Sequence, residues 1–384
     1  MEPADAVLRF LESVSPRAET EFYLGLFRAL PRERFAAISV DADVARHAME
    51  AVVLDLRFLA TLGLVPLVVL GLFESTESQE QANRLERRLL RAQVPCRLLS
   101  PDQPDLISDI TAAARAGVIP VIAFGKDDGG AAGVDARVAR LGRWLSALAT
   151  RKMIFLHRRG ALKVAGAPLE VVNLTVDAES LLASRDLSKK QRLLVSQSRK
   201  LVFELVSHRL LVSITSPFDL LRELFTVKGA GTLLRRGAVI ERHAGVSGLD
   251  GERLRSLLAK SFGRGVAPAF LDKTFSNVYL EENYRGAAIL VDTPLGAYLT
   301  KFAVEREAQG EGMGRDLWAR LLADHPTVFW RARRDNPIDR WYVHLCDGLT
   351  RFADWTVYWK GLAPERIPEA ISFALGQPVD LIPV

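Results

Sequence analysis

The sequence predicts two α/β units in series: an αβα sandwich around a mainly parallel sheet, then a smaller α+β unit with a mixed sheet. In the first 237 residues, short apolar runs alternate with segments of helical periodicity, which is typical of βαβ units. After a glycine-rich polar stretch at 237–251, strand-like runs follow one another around turns, which is typical of antiparallel pairing. The length of 384 residues is also that of two ordinary domains.

Apolar spacing justifies each element of the first unit. Runs of four to eight apolar residues predict buried strands, and apolar residues at three- and four-residue intervals predict helices. The predicted strands are 35–40, 64–71, 118–124, 153–156, 169–174 and 210–215, and the predicted helices are 44–63, 77–92, 134–149, 189–207 and 217–225. Two helical segments, 4–15 and 18–30, precede them. We therefore expect an N-terminal helical segment at 1–34 and a domain at 35–237.

The second unit has a different texture, because its strands are short and connect directly to one another. A polar linker is predicted at 238–250, and the unit itself at 251–384. The predicted strands are 277–281, 287–292, 297–304, 327–333 and 355–360, and the predicted helices are 252–262, 313–323 and 369–375.

Composition excludes several classes of protein. Hydrophobic residues make up 49% and charged residues 25%, as in globular proteins. Two cysteines, Cys96 and Cys346, make no disulfide framework, and six scattered histidines show no metal-ligand spacing, so no metal is expected. The net charge is +5, but the basic residues are interspersed with acidic residues along the chain, so no nucleic-acid partner is expected. The most apolar stretch, 58–73, is short for a membrane span and contains Pro66, so we expect a cytoplasmic protein without membrane contact.

A glycine-rich turn connects a predicted strand to the helix that begins near Met313. Its residues are Gln309, Gly310, Glu311, Gly312, Met313 and Gly314. Glycines let backbone N–H groups approach an anion closely, and a helix N-terminus adds free donors and a positive dipole end. The turn therefore predicts binding of a phosphate or pyrophosphate. Its spacing matches the Q/R-x-x-G-x-G/A loop with which the GNAT acetyltransferases hold the pyrophosphate of acetyl-CoA.

Basic side chains occupy one face of the next strand. Strand periodicity places Phe329, Arg331 and Arg333 on the same face, with the two guanidinium groups about 6–7 Å apart. Each guanidinium can grip a carboxylate with two hydrogen bonds, so the pair suits a dicarboxylate or a carboxylate plus a phosphate. Lys301, on the strand before the glycine turn, adds a third cation. Tyr342 follows shortly and is either a proton donor or an aromatic residue at the edge of the core.

Taken together, these motifs resemble the acetyltransferase domain of the vertebrate-type N-acetylglutamate synthases and of the bacterial synthase–kinases. The resemblance rests on 300–304, 309–314, 329–333, 336–338, 341–342, 347–348 and 355–362 in that order. It implies a GNAT fold and acetyl-CoA bound by 309–314 and by Phe302, Ala303 and Val304. It also implies glutamate binding by Lys301, Arg331, Arg333 and Asn336. Asp339 departs from the family, which commonly has an asparagine there, and 343–346 are less polar than usual.

The chemistry implied is direct acyl transfer. The acceptor amine must lose its ammonium proton before it attacks the thioester carbonyl. Backbone N–H groups at 302–304 are candidates to stabilise the oxyanion, and Tyr342 is a candidate to protonate the departing thiolate. We assign the catalytic roles to Tyr342 and Lys301, with acetyl-CoA and L-glutamate as substrates.

Residues 16–237 resemble the amino-acid kinase domain of the same family. The matching segments are 117–122, 172–175, 213–217, 223–226, 228–232 and 235–237. The family's first strand should lead into a Lys-x-Gly-Gly loop, but this chain has Asp41-Ala42 there and no lysine before Lys126. The second strand should open a glycine-rich loop, but Glu74 follows instead. Carboxylates at these positions repel phosphate, so we expect no kinase activity and no ATP binding.

The resemblance implies other roles for the degenerate kinase domain: L-arginine binding and homo-oligomer contacts, as a dimer or tetramer. The implied arginine site comprises Glu223, Lys228, Gly229, Gly231 and Thr232, and a packing turn explains the same segment equally well. Three alternatives to a monofunctional synthase stay open. They are a bifunctional synthase and kinase, an acetyltransferase with another acceptor, and a non-catalytic arginine-sensing protein.

Overall fold

A computed structural model of the chain describes residues 21, 24, 25, 27–125, 131–226, 229–305, 308, 312–336 and 338–382. The chain divides into two compact units, Met1–Gly237 and Ala238–Val384. Within the described residues, no helix is both long and apolar enough to cross a membrane.

An eight-stranded sheet forms the centre of the first unit. Its strands are β1 (Ala37–Val40), β2 (Leu67–Leu70), β3 (Cys96–Leu99), β4 (Ile119–Ala123), β5 (Lys152–Leu156), β6 (Val171–Asn173), β7 (Leu211–Thr215) and β8 (Thr232–Arg235). They lie in the order β3-β4-β2-β1-β5-β7-β8-β6, and all neighbours are parallel except β7 and β8. A two-residue ribbon, Lys163–Val164 with Ala167–Pro168, stands apart from this sheet.

Helices cover both faces of this sheet. They are α1 (Ala42–His47), α2 (Met49–Thr61), α3 (Ser78–Arg91), α4 (Leu106–Arg115), α5 (Ala131–Ala147), α6 (Ala178–Ala183), α7 (Lys189–Lys200) and α8 (Leu220–Phe225). The first three and α8 bury their apolar residues in one core, and α5 to α7 bury theirs in a second core on the opposite face. The predicted αβα sandwich with a mainly parallel sheet is therefore confirmed.

The second unit contains a seven-stranded mixed sheet. Its strands are β9 (Ile240–His243), β11 (Asn277–Glu281), β12 (Gly286–Thr293), β13 (Gly296–Val304), β14 (Val328–Arg333), β15 (Gly348–Arg351) and β16 (Trp355–Lys360). Their order is β9-β11-β12-β13-β14-β16-β15, and only β13 and β14 run parallel. Two short strands, β10 (Gly265–Val266) and β17 (Leu381–Ile382), pair separately. The prediction of a linker through 238–250 was wrong, because 240–243 form an edge strand of this sheet.

Among the described residues of the second unit, four α-helices flank the sheet. They are α9 (Gly251–Phe262), α10 (Met313–Asp324), α11 (Asp339–Leu345) and α12 (Ile367–Gly376). Apolar residues of α10 and α11 pack with Phe302 and Trp330 on one face. Apolar residues of α9 and α12 pack on the other, around Phe270 and Phe329.

The parallel strands β13 and β14 part after a short contact, which creates the opening used by the site. They pair only through Ala297–Leu299 and Val328–Trp330. At the same level, the register between β12 and β13 shifts, with Ile289 opposite Lys301 but Leu290 opposite Leu299. Thr300 is therefore the extra residue of a β-bulge, and such bulges redirect the strand and its side chains. Beyond it, β13 and β14 have no paired residues between them.

Candidate functional site

Three of the predicted cations lie where β13 and β14 part. Lys301 follows the bulge on β13, and Arg331 and Arg333 alternate along β14. All three lie on the face of α9 and α12, because Lys301 stands over the Phe270 ring and the guanidinium groups stand over the Trp355 ring. The structure therefore brings together the residues that the basic pattern suggested.

Lys301 is a buried cation in contact with a carboxylate. Its side chain is 10% exposed, and Nζ lies 3.0 Å from an oxygen of Asp380. The other oxygen of Asp380 accepts a hydrogen bond from Lys273 Nζ. Burial lowers the pKa of Lys301, and Asp380 opposes this shift only in part. Burial alone raises the pKa of Asp380, but the two lysines outweigh it and hold that pKa below its ordinary value.

The guanidinium of Arg331 donates its hydrogen bonds to backbone carbonyls. Nη1 donates to the carbonyl of Leu375 (3.0 Å), and Nη2 donates to the carbonyls of Gln377 (2.7 Å) and Pro378 (2.9 Å). Its Cζ lies 4.0 Å from the centre of the Trp355 ring, and burial lowers its pKa. Backbone carbonyls fill the fork of Arg331 in this conformation, and the predicted contact of Arg331 with an acceptor carboxylate stays a prediction.

Asn336 closes the turn between β14 and α11. Its backbone N–H donates to the carbonyl of Arg333, and its Oδ1 accepts from the N–H of Ile338 at 3.1 Å. These bonds fix where α11 begins. The predicted contact of Asn336 with substrate stays a prediction.

Tyr342 is buried among aromatic rings on the opposite face of the sheet from Lys301. Its ring centre lies 5.4 Å from those of Trp330 and Tyr358, and 5.6 Å from that of Trp341. Burial raises the pKa of Tyr342, so its phenol stays protonated at neutral pH, as a proton donor requires. Because the cations and Tyr342 lie on opposite faces, a single reacting molecule can touch both only through the gap between β13 and β14.

The glycine turn is described from Gly312 onward; Gln309, Gly310 and Glu311 lie outside the described residues. Gly312 has a φ of +77° and caps the N-terminus of α10, a conformation that favours glycine. Met313 is buried, and a Cβ on Gly314 would lie 3.7 Å from the Phe302 ring. The helix N-terminus thus lies beside β13, as an anion-binding turn requires.

Of the predicted oxyanion donors, Val304 is already engaged. Its N–H donates to Ser261 Oγ at 3.1 Å. A side chain of α9 thus occupies this amide in the present conformation, and the predicted role of Val304 stays a prediction. Phe302 and Ala303 are consecutive residues of β13 where it borders the gap. The side chain of Phe302 packs on the α10 face of the sheet and that of Ala303 on the α9 face.

In the first unit, Glu223 lies at the centre of a closed hydrogen-bond cluster. Its carboxylate accepts from Ser213 Oγ (2.6 Å) and from the N–H groups of Ala230 and Gly231 (3.0 Å each), and Lys152 Nζ lies 3.3 Å away. Burial alone raises the pKa of Glu223, but these partners together hold it below its ordinary value. Glu223 therefore anchors the 229–231 turn, and its predicted role in arginine binding stays a prediction.

The rest of the predicted arginine segment is also tightly packed. A Cβ on Gly229 would lie 2.6 Å from Glu223, and one on Gly231 would lie 2.4 Å from the carbonyl of Ile214. Thr232 Oγ1 accepts from the N–H of Leu162 and donates to the carbonyl of Leu169. Lys228 lies outside the described residues.

Carboxylates and their partner cations occupy the carboxyl edge of the first sheet. Arg46 contacts Asp43 (3.2 Å), Glu77 (3.0 Å) and Glu74. Asp41, directly after β1, lies 2.6 Å from Lys190 Nζ.

At the same edge, a buried histidine follows β5. Burial lowers the pKa of His157, so its ring is neutral at neutral pH. Neither the two paired cations nor this ring therefore offers an unpaired positive charge to a phosphate.

Sequence reasoning missed Lys273, Trp355 and Asp380. Lys273 and Asp380 are 107 positions apart, so no local spacing connects them. Trp355 begins a later strand, β16, and a single tryptophan at that distance from the basic strand β14 does not by itself indicate a binding site. Among the described residues, no three His, Cys, Asp or Glu side chains lie close enough to hold a metal ion.

Comparison with known proteins gives matches to both units. Residues 241–373 match the family described as NAT, N-acetyltransferase, of N-acetylglutamate synthase. A protein of Xanthomonas campestris named acetylglutamate kinase is 33% identical over 90% of this chain and 94% of its own length. The mitochondrial N-acetylglutamate synthase of Homo sapiens is 36% identical over 60% of this chain and 45% of its own length.

A solved structure shares the fold of both units. The N-acetylglutamate synthase of Neisseria gonorrhoeae, complexed with coenzyme A and N-acetyl-glutamate, is 16% identical, with a TM-score of 0.51 over 89% of this chain and 98% of that chain. The same protein complexed with coenzyme A and L-arginine gives the same TM-score over 90% of this chain.

Proposed function

Because the chain belongs to the family that joins an acetylglutamate kinase-like unit to the acetyltransferase domain of N-acetylglutamate synthase, we propose that it transfers an acetyl group from acetyl-CoA to the amino group of L-glutamate. It is thus an amino-acid N-acetyltransferase, and acetyl-CoA is its co-substrate. The Neisseria structure that holds coenzyme A and N-acetyl-glutamate belongs to a protein of the same fold and supports this choice of substrates.

One observation carries the proposal: β13 and β14 part next to the helix N-terminus at Gly312, with the largely buried Lys301 and two half-buried arginines on one face of the gap. An extended thioester arm can enter such a gap, because its backbone groups are unpaired between the two strands. The anion-binding turn lies on the α10 face, and the cations lie on the other. Phosphates and acceptor carboxylates therefore have separate places on either side of the reacting carbonyl.

The reaction follows from this arrangement. The amine of glutamate releases its ammonium proton to water and attacks the thioester carbonyl, forming the C–N bond. The oxyanion accepts a hydrogen bond from the amide of Phe302, which faces the gap because the amides of Ala303 and Glu305 face β12. The C–S bond then breaks, and the departing thiolate takes a proton from the Tyr342 hydroxyl, whose pKa is raised by burial. The nitrogen of the new amide loses its second proton to water, and the Tyr342 phenolate regains a proton from solvent, so the enzyme returns to its starting state. Lys301 and Arg333 hold carboxylates of the acceptor.

The direct test is release of free thiol from acetyl-CoA by the full chain with a panel of amino acids. Glutamate should give the highest kcat/KM, and glutamine, which lacks only the side-chain charge, should be at least about 100-fold poorer, because buried cations are left unpaired. Equal rates with glutamate and glutamine would contradict the proposed acceptor. No thiol release with any amine would favour a non-catalytic role.

A second candidate is phosphorylation of N-acetylglutamate, favoured by the name of the Xanthomonas relative. We propose that this chain lacks that activity, because Asp41 and Glu74 stand where phosphate-binding loops are expected and their partner cations are already paired. Incubation with MgATP and N-acetylglutamate should yield no ADP above the rate without enzyme. ADP formation coupled to loss of N-acetylglutamate would establish the bifunctional enzyme.

Three further features remain part of the proposal. The Neisseria complex with L-arginine supports a test of arginine as an effector of the first unit. We also propose a homo-oligomer, a dimer or tetramer built through the first unit, which light scattering of the full chain would test. A cytoplasmic location is proposed from the sequence, whereas the human relative is mitochondrial.

A further inference from the structure

The C-terminal segment 377–382, here called the C-terminal strap, lies across the cations of the second unit. Leu381–Ile382 pair with Gly265–Val266, and the N–H of Ala267 donates to the carbonyl of Asp380. Two carbonyls of the strap, those of Gln377 and Pro378, accept from Arg331. The strap therefore covers the face of the gap on which the acceptor is proposed to bind.

Within the strap, Asp380 makes the contacts expected of a bound carboxylate. One of its oxygens faces Lys301 Nζ at 3.0 Å, the other accepts from Lys273 Nζ, and the residue is buried. Lys301 stands directly after the bulge at the gap. The carboxylate of Asp380 thus already occupies the place beside Lys301 where a carboxylate of the acceptor is predicted to bind.

Polar contacts dominate the attachment of the strap. Its apolar residues Val379 and Ile382 are 52% and 42% exposed, so little hydrophobic free energy holds it in place. Exchange of Asp380 for another carboxylate leaves both lysines paired, which avoids the large cost of an unpaired buried charge. A ligand with the same chemistry can therefore displace the strap.

We propose that Asp380 is an internal occupant of the acceptor's carboxylate pocket, and that the C-terminal strap must leave before an acidic acceptor binds. The inference rests on the proposed function and adds an autoinhibitory contact to it. Displacement of the strap also frees Nη2 of Arg331, while Nη1 still donates to Leu375 of α12, so a second carboxylate can take the place of the strap's two carbonyls. The acceptor must therefore replace the ion pairs of Asp380 with the two lysines and the hydrogen bonds of Arg331 to the strap's carbonyls.

The test uses glutarate, which has both carboxylates of glutamate but no amine and so binds without turnover. Calorimetry on the full chain should show glutarate binding at least fivefold tighter to Asp380→Asn than to the wild type. Asp272→Asn, which removes an exposed carboxylate next to Lys273 in the sequence, serves as the matched control and should bind like the wild type. Weaker binding to Asp380→Asn would overturn the inference, because Asp380 would then position the lysines for the ligand.

Hydrogen exchange on the wild type gives a second measurement that does not depend on the folding of a variant. Saturating glutarate should speed exchange of the N–H group of Ala267, because its hydrogen bond to the carbonyl of Asp380 is lost with the pairing of the strap. Slower or unchanged exchange with glutarate bound would overturn the inference while leaving the acetyltransferase proposal intact. If no protein form binds glutarate and none acetylates glutamate, the proposed acceptor fails together with this inference.

Discussion

The carboxyl edge of the first sheet and the gap in the second sheet use their cations in opposite ways. At the first, Arg46 contacts three carboxylates and Lys190 pairs with Asp41. At the second, Lys273 and Lys301 share the single carboxylate of Asp380, and the guanidinium of Arg331 contacts only neutral carbonyls. At the first edge both cations are paired with carboxylates, whereas at the gap in the second sheet the three cations outnumber the one carboxylate.

This difference shows that a fold and its chemistry are maintained by separate sets of residues. The first sheet keeps its buried apolar strands and both cores, which depend on packing. Phosphate binding depends instead on a few unpaired donors at loop ends, and carboxylates at those positions cancel it without disturbing the cores. The second unit keeps both its packing and its unbalanced cations, so we assign catalysis to it.

The largest effect on acetylation should come from removing the cation Lys301 of the second unit, compared with removal of the cation Lys190 of the first unit. Lys301→Met should lower kcat/KM for glutamate by about 10²–10³-fold, because it leaves an acceptor carboxylate without a buried charged partner. Lys190→Met, the matched change in the first unit, should alter acetylation by less than twofold. Thiol release at varied glutamate measures both. A comparable loss in the two variants would remove the functional contrast between the units.

The next largest effect should follow from Tyr342→Phe, which keeps the ring and removes only the hydroxyl. We expect kcat to fall about 10–100-fold with little change in the KM for glutamate, because a proton donor acts in the transition state. Tyr358→Phe, on a neighbouring ring that contacts Tyr342, is the control and should retain most of kcat.

The pH profile sharpens this prediction. The raised pKa of Tyr342 keeps the phenol protonated, so kcat/KM should rise with pH as the acceptor amine loses its proton, and loss of the phenol proton should cause no fall below about pH 10. Any alkaline fall should instead follow Lys301, whose pKa is lowered by burial, and should persist in Tyr342→Phe. Unchanged kcat in Tyr342→Phe would mean that solvent protonates the thiolate.

Gly312→Val should give a smaller effect, confined to coenzyme A. A side chain at φ +77° costs about 1–2 kcal/mol and distorts the N-terminus of α10, so the KM for acetyl-CoA should rise about tenfold. Gly248→Val is the matched control in the same unit, since Gly248 has a φ of +83° in open space. If both variants raise this KM equally, general loss of stability rather than anion binding is the cause.

The sequence predicted the layers of the fold better than the contacts of the site. Apolar runs such as 118–124 and 297–304 mark buried strands because burial acts on every residue of the run. Strand β3 (Cys96–Leu99) was missed because it is short and only its last residue is buried.

At the site, local patterns placed Lys301, Arg331 and Arg333 together but missed what they contact. Asp380 meets Lys273 and Lys301 only through tertiary folding, 107 and 79 residues away along the chain. Glu223 was identified as functional from a family pattern, and only its four partners show that it anchors a turn.

Glu223→Gln should have the smallest effect on acetylation and a clear effect on stability. Acetylation should stay within twofold, because Glu223 belongs to the first unit, while the free energy of unfolding should fall by about 1–3 kcal/mol as buried donors lose a charged acceptor. Glu179→Gln, an exposed glutamate of the same unit, should change neither quantity.

The sign of the pH dependence follows from the lowered pKa of Glu223. A carboxylate with a lowered folded-state pKa stabilises the fold above its ordinary pKa, and this contribution is lost as pH falls through the folded value. The wild type should therefore lose stability relative to Glu223→Gln below about pH 4, so that their unfolding curves converge in acid. Thermal unfolding between about pH 3 and pH 7 measures this, and a constant difference across that range would mean that the charge of Glu223 contributes nothing. Such a result would reopen the turn at 229–231 as a ligand site, because its anchor would then be free to exchange partners.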